Sequence, residues 1–138
     1  MTATLWILGL ILCIALCALF ERVRLRNIAR QREDDSICTF VRSLDYRSLD
    51  TKVIREVYEQ LQTWLHCGKR PFPVRVTDNL HEDYKMDPLD LDDLVLDVAK
   101  KTGRDVSDGS KNPYYDRVDT VGDLIGFLCS QPRITKTA

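Results

Sequence analysis

The sequence predicts an all-α chain, built as a single N-terminal transmembrane helix followed by a small helical bundle. Three observations predict it. Residues 3–20, ATLWILGLILCIALCALF, carry no charge. Three later segments repeat apolar residues at i, i+3, i+4 and i+7, the spacing of one helix face. Those segments are punctuated by cap residues, glycine and proline at the places where helices start and stop.

Size and charge narrow the function. At 138 residues the chain holds one small domain, too little for a barrel enzyme or a two-lobed cofactor enzyme. With 44% hydrophobic and 30% charged residues it buries a core. A net charge of −1 provides no global basic field, so nucleic acid is not an expected partner. The charge is uneven: residues 1–75 carry 12 Lys/Arg against 8 Asp/Glu, and residues 76–138 carry 8 against 13.

Residues 1–20 read as the membrane anchor, with residues 3–20 in the lipid bilayer. Eighteen helical residues span about 27 Å against a hydrocarbon core of about 30 Å. Val23 and Leu25 extend the run while Arg22 snorkels. A soluble core helix is a poor alternative, because this one is apolar on every face and about 118 residues remain to cover it. A cleaved signal peptide is the other rival. It wants a basic start and a small-residue cleavage site, whereas the chain begins Met-Thr-Ala and Ala15-Leu16-Cys17 is a poor site.

Residues 21–34 read as an arginine-rich juxtamembrane stalk, with the helix continuing through much of it. Arg22, Arg24 and Arg26 flank the membrane, and nothing basic except the amino terminus precedes residue 21. The positive-inside rule then expects a single-pass protein of the cell (inner) membrane with its C-terminal domain in the cytoplasm. The same arginines are placed to touch anionic headgroups, or serve only to set topology.

Residues 35–49 are expected to form a short amphipathic helix and a turn, with Asp34 or Asp35 as cap and Ile37, Phe40, Val41 and Leu44 on one face. A longer helix starts at Thr51, carrying Val53, Ile54, Val57, Leu61, Trp64 and Leu65, and ends at Gly68 before Pro71 and Pro73. Residues 68–86 form a long loop, whose Phe72, Val74, Val76 and Leu80 suit an extended segment lying over the helices.

Asp87 is the cap of the next helix and Pro88 its first residue, where the missing amide costs nothing. Leu91, Leu94, Val95 and Val98 form its buried face, Lys100 and Lys101 suit its last turn, and Gly103 stops it. After the loop 103–118, with a short turn around Tyr114–Asp116, the last helix starts near Asp119 or Thr120. It buries Val121, Leu124, Ile125 and Leu128. Gly122 and Gly126 weaken it by about 1 kcal/mol each and favour close approach of a neighbouring helix. Residues 131–138 are expected to be a flexible tail.

The stretch from Leu80 to Asp90, Leu-His-Glu-Asp-Tyr-Lys-Met-Asp-Pro-Leu-Asp, resembles the signature that opens the second helix of acyl carrier proteins. There an apolar residue is followed by Glu-Asp-Leu-Gly and then Asp-Ser-Leu. Arg117 to Ile125, with its Thr120-Val121 pair, looks like that family's last helix, and residues 51–65 fit its first. The resemblance covers residues 50–130 and implies an acyl-carrier-like helical bundle. A working carrier attaches phosphopantetheine through the serine of Asp-Ser-Leu, and Pro88 replaces that attachment serine. Either the alignment is shifted or the fold is kept without its cofactor, and the latter is preferred, so no cofactor is expected.

What the resemblance then implies is protein recognition through an acidic second helix. Asp90, Asp93 and Asp97 share one face, and Leu89 and Leu96 share another that is not the face of Leu91 and Val95. These five residues are the candidate partner-binding set, suited to a protein with a basic patch. A solvated acidic face with two incidental leucines is the plainer alternative. The expected function is a membrane-tethered, non-catalytic carrier-like interaction module. The alternatives are an atypical carrier of lipid or acyl metabolism and a structural or assembly protein of the membrane.

The remaining chemistry-bearing residues form no pattern. Cys13, Cys17, Cys38, Cys67 and Cys129 contain no Cys-x-x-Cys, and neither His66 nor His81 has ligand spacing to a cysteine, so no metal is expected. The aspartates at 87–97 lack the glycine and spacing of a calcium loop. No cleft for paired carboxylates is suggested, so no catalytic residue is assigned. Asn112-Pro113-Tyr114-Tyr115 reads as a turn followed by packing aromatics.

Overall fold

Residues Thr2–Gln31 form one uninterrupted helix, α1, about 45 Å long at 1.5 Å per residue. The computed structural model describes residues 2–65 and 70–134. Four more helices follow: α2 (Ile37–Arg42), α3 (Thr51–Trp64), α4 (Pro88–Thr102) and α5 (Val121–Ser130). No strand forms among the described residues. Asn79 with Thr120 and Arg104 with Arg133 make isolated antiparallel bridges. The architecture is all-α, with α3, α4 and α5 packed on one another. Among the described residues one helix is long and apolar enough to cross a membrane; it lies at the N-terminus, where its 18-residue apolar window has a mean hydropathy of 2.2 and is unburied.

The C-terminal part of α1 does not stand free as a stalk. Leu25, Ile28 and Ala29, at i, i+3 and i+4, pack against the core of the bundle. Arg24 donates to the Glu82 carbonyl at 2.7 Å, and Arg32 reaches the Asp78 carboxylate at 2.8 Å. Asp78 is buried and accepts three bonds on one oxygen, from Arg32, from the Arg75 amide at 2.8 Å and from the Tyr84 hydroxyl at 2.5 Å. Burial, and next the Asp78 carboxylate, push the Tyr84 phenol far above its ordinary pKa, so it stays a donor.

The loop between α3 and α4 is the extended cover the alternation suggested, with Phe72, Val74 and Leu80 buried and Val76 half-buried. Gln62 on α3 pins it by donating to the Phe72 carbonyl at 2.8 Å and accepting from the Phe72 amide at 2.6 Å. The apolar stripe of α3 is Val53, Ile54, Val57, Leu61 and then Leu65, with Tyr58 in place of Trp64, which is exposed. His66, Cys67 and Gly68 lie outside the described residues, and so does the expected stop of α3 at Gly68.

Three further expectations are corrected. Ser36, not Asp34 or Asp35, caps α2 through a reciprocal box with Thr39, while Asp35 is drawn to Arg75 at 2.6 Å. Gly122 and Gly126 admit loop residues rather than a helix: an added Cβ would lie 2.7 Å from Val76 Cγ1 and 2.5 Å from the Tyr114 ring, respectively. Residues 131–134, expected within a flexible tail, are held in place. Gln131 is buried, Pro132 accepts from the Asp105 amide, and Ile134 donates to the Gly103 carbonyl. Residues 135–138 lie outside the described residues.

Asp50, the cap of α3, ties these ends together. It accepts from Arg104 at 2.7 Å, Arg133 at 2.8 Å and the Lys52 amide at 3.0 Å. Burial raises its pKa, but the bonds from Arg104, Lys52 and Arg133 outweigh burial and hold the carboxyl below its ordinary value.

Candidate functional site

Helix α4 owes its position to local chemistry at both ends. Asp87 accepts from the Asp90 amide at 2.9 Å while Asp90 accepts from the Asp87 amide at 3.5 Å, a reciprocal capping box with Pro88 at its start. Gly103, at φ +70°, closes the other end in the left-handed conformation that glycine adopts without a Cβ penalty. Between these ends Leu94, Val98, Ala99 and Thr102 are buried, which fixes the rotation of the helix.

That rotation turns the candidate residues outward. Leu89 is 75% exposed and Leu96 is 56% exposed, unusual for leucines in a domain whose inner leucines are fully buried. Asp93 and Asp97 are exposed and form no ion pair among the described residues. Asp90 is set apart from them by its part in the cap. Lys101 is occupied by Glu56 of α3 at 3.2 Å, so it does not neutralise this face. Pro88 is exposed at the first turn, with no hydroxyl to carry a phosphodiester.

Beside Leu96 the structure adds a groove the sequence did not reveal. It measures about 700 Å³ and lies between α4 and the 106–119 loop. Leu91, Val95, Leu96 and Phe127 supply apolar lining, while Asp92, Asp108, Asp116 and Asp119 also line it. The three loop aspartates arrive there because the segment between α4 and α5 folds back. Asn112 donates to the Phe127 carbonyl at 2.9 Å, and Tyr114 packs on Gly126. Asp108 is held below its ordinary pKa by the Ser110 hydroxyl and amide, and stays ionised at neutral pH. No spacing rule on the sequence places residues 108, 116 and 119 beside residue 96.

The membrane-flanking arginines divide. Arg22 and Arg26 stay exposed, whereas Arg24 is engaged with Glu82 and, at 3.6 Å, with Glu21. Among the described residues no group of three or more His, Cys, Asp or Glu is arranged to hold a metal ion. His81 Nδ1 lies 3.2 Å from the Met86 carbonyl within its own turn. Comparison with family models, with curated proteins and with solved structures found no match.

Proposed function

We propose that the chain is a single-pass, membrane-tethered interaction module that has an acyl-carrier-like bundle, performs no catalysis, and docks a protein partner through α4. The observation that carries this reading is the exposure of Leu89 and Leu96 beside the carboxylates of Asp93 and Asp97, which form no ion pair among the described residues. Two exposed leucines supply burial on contact, and the carboxylates around them and along the adjoining groove favour a basic partner. The partner would meet this face on the cytoplasmic side of the cell (inner) membrane, since the arginines that follow the apolar run favour that topology.

The test is co-purification of the tagged full chain from detergent-solubilised membranes, wild type beside Asp93→Lys/Asp97→Lys. Proteins retained by wild type and lost from the charge-reversed variant support the reading. An identical set from both removes α4 as the docking face. A reporter at the C-terminus that is active only in the exported compartment should score negative. Of the alternatives, an atypical carrier is tested by intact mass: phosphopantetheine covalently attached to the wild-type chain would favour it.

A further inference from the structure

Where α1 leaves its apolar run, it forms one wall of a cleft whose other wall is the 70–73 segment. The cleft measures about 270 Å³. Four arginines line it: Arg26 and Arg30 from α1, Arg32 from the turn just after it, and Arg70 from the opposite wall. Arg32 is spent on Asp78, and Asp35, on the rim, is spent on Arg75. Arg26, Arg30 and Arg70 form no ion pair among the described residues, and Glu33 is the one unpaired carboxylate in the lining. Three arginines without an ion-pair partner among the described residues thus line one cleft, Arg26 and Arg30 on one wall and Arg70 on the other; like charges so placed favour an anion between them, and their planar forks match the oxygens of a phosphate.

The depth of the cleft selects the anion. Arg22, Arg26 and Arg30 follow one another at i, i+4 and i+8 on a single row of α1. Counted along the axis from Phe20, they lie about 3, 9 and 15 Å past the apolar run. The headgroup zone of a bilayer is about 5–8 Å thick on each side. Arg26 therefore stands at the outer edge of the headgroup zone and Arg30 about 6 Å beyond it, and their long side chains can reach back towards the lipid phosphates. Because Leu25, Ile28, Ala29, Arg24 and Arg32 hold α1 against the bundle, the cleft cannot swing away from the membrane as it would on a loose stalk.

The geometry points to a binding site for the phosphate of an anionic lipid headgroup, formed by Arg26, Arg30 and Arg70. It shares no residue with the α4 face and needs no protein partner. It rests only on the part of the preceding reading in which α1 spans the bilayer.

The test is native mass spectrometry of the detergent-solubilised full chain with phosphatidylglycerol, phosphatidylcholine or inorganic phosphate added. Arg26→Gln/Arg30→Gln/Arg70→Gln is compared with Arg42→Gln/Arg47→Gln/Arg55→Gln, which removes the same charge elsewhere. Wild type and the control should retain phosphatidylglycerol, and the cleft variant should lose retention by about tenfold or more. Excess inorganic phosphate should leave the lipid adduct in place. Equal retention by the cleft variant, or equal retention of phosphatidylcholine by wild type, overturns the site. Displacement by inorganic phosphate overturns its assignment to lipid. The single variant Arg70→Glu should lose retention too, leaving α1 itself unaltered. An alkaline wash of membranes is the separate check: release of wild type overturns the spanning helix, whereas failure of the site alone leaves all variants in the membrane.

Discussion

Arg32 Nη1 lies 2.8 Å from Asp78 Oδ2, joining the end of the apolar N-terminal helix to a buried carboxylate of the α3–α4 loop. The bond spans 46 positions of sequence and converts an anchor and a domain into one body. Among the described residues this is the one cation paired with Asp78, while Tyr84 and the Arg75 amide complete its bonding. Removing the cation leaves a buried charge without its counterion, which costs more than the pair contributes net.

Arg32→Ala should therefore destabilise the folded chain by about 3 kcal/mol, and Asp78→Ala by a similar amount. The double variant should cost less than the two single effects added, because each single change leaves the other partner unsatisfied. Chemical denaturation of the full chain in detergent, followed by tryptophan-independent far-UV dichroism, measures all three. Strict additivity would show that Arg32 and Asp78 do not act as a pair.

Leu94 and Leu96 differ by two positions and by opposite surroundings, one 7% exposed and the other 56%. Leu94→Ala should cost about 2–5 kcal/mol, whereas Leu96→Ala should stay within about 0.5 kcal/mol. The same denaturation measurement decides it, and equal losses would mean that α4 is rotated.

Gly126 illustrates a sign that depends on a neighbour. Alanine is worth about 1 kcal/mol over glycine within a helix, but its Cβ would lie 2.5 Å from the Tyr114 ring. Gly126→Ala alone should destabilise by about 1 kcal/mol, as the ring is displaced from α5. In a Tyr114→Ala background the same change should stabilise by about 1 kcal/mol. Thermal melts of the four proteins in this cycle provide the check.

Asp50 sets part of the acid limit of the domain. Its carboxyl pKa is lower folded than the ordinary 3.8, so it contributes stability above that value. The contribution is lost as the pH falls through the folded-state pKa, when the carboxylate facing Arg104 and Arg133 is protonated. Melting temperatures followed from about pH 5 to pH 2 should fall less steeply for Asp50→Asn than for wild type. The variant should also be the less stable of the two at neutral pH.

Elements whose signals are local were legible in the sequence, and relationships between distant segments were not. Asp87, Pro88 and Gly103 bound α4 because capping and left-handed closure act within one turn. The outward aim of Leu89 and Leu96 followed from helical spacing alone. The docking of α1 was hidden because Arg24 and Arg32 carry the same charge as the other arginines around them, and their partners lie 58 and 46 positions away. Ser36 won the cap of α2 because Asp35 was claimed by Arg75, a competition invisible without the fold. The acidic lining beside Leu96 was missed for the same reason, since Asp108, Asp116 and Asp119 reach it through loop closure. Periodicity puts Trp64 in the apolar stripe of α3 beside Leu61, but Trp64 is exposed and Tyr58 is buried in its place.

The proposed docking role of α4 is tested most directly by photo-crosslinking in native membranes. A benzophenone side chain is placed at position 89, at 96, or at Arg55 on the exposed face of α3. The account predicts a discrete adduct from 89 and from 96, none from 55, and loss of both adducts when Asp93 and Asp97 are changed to lysine. Adducts of equal yield from all three positions, or adducts that survive the charge reversal, would contradict it.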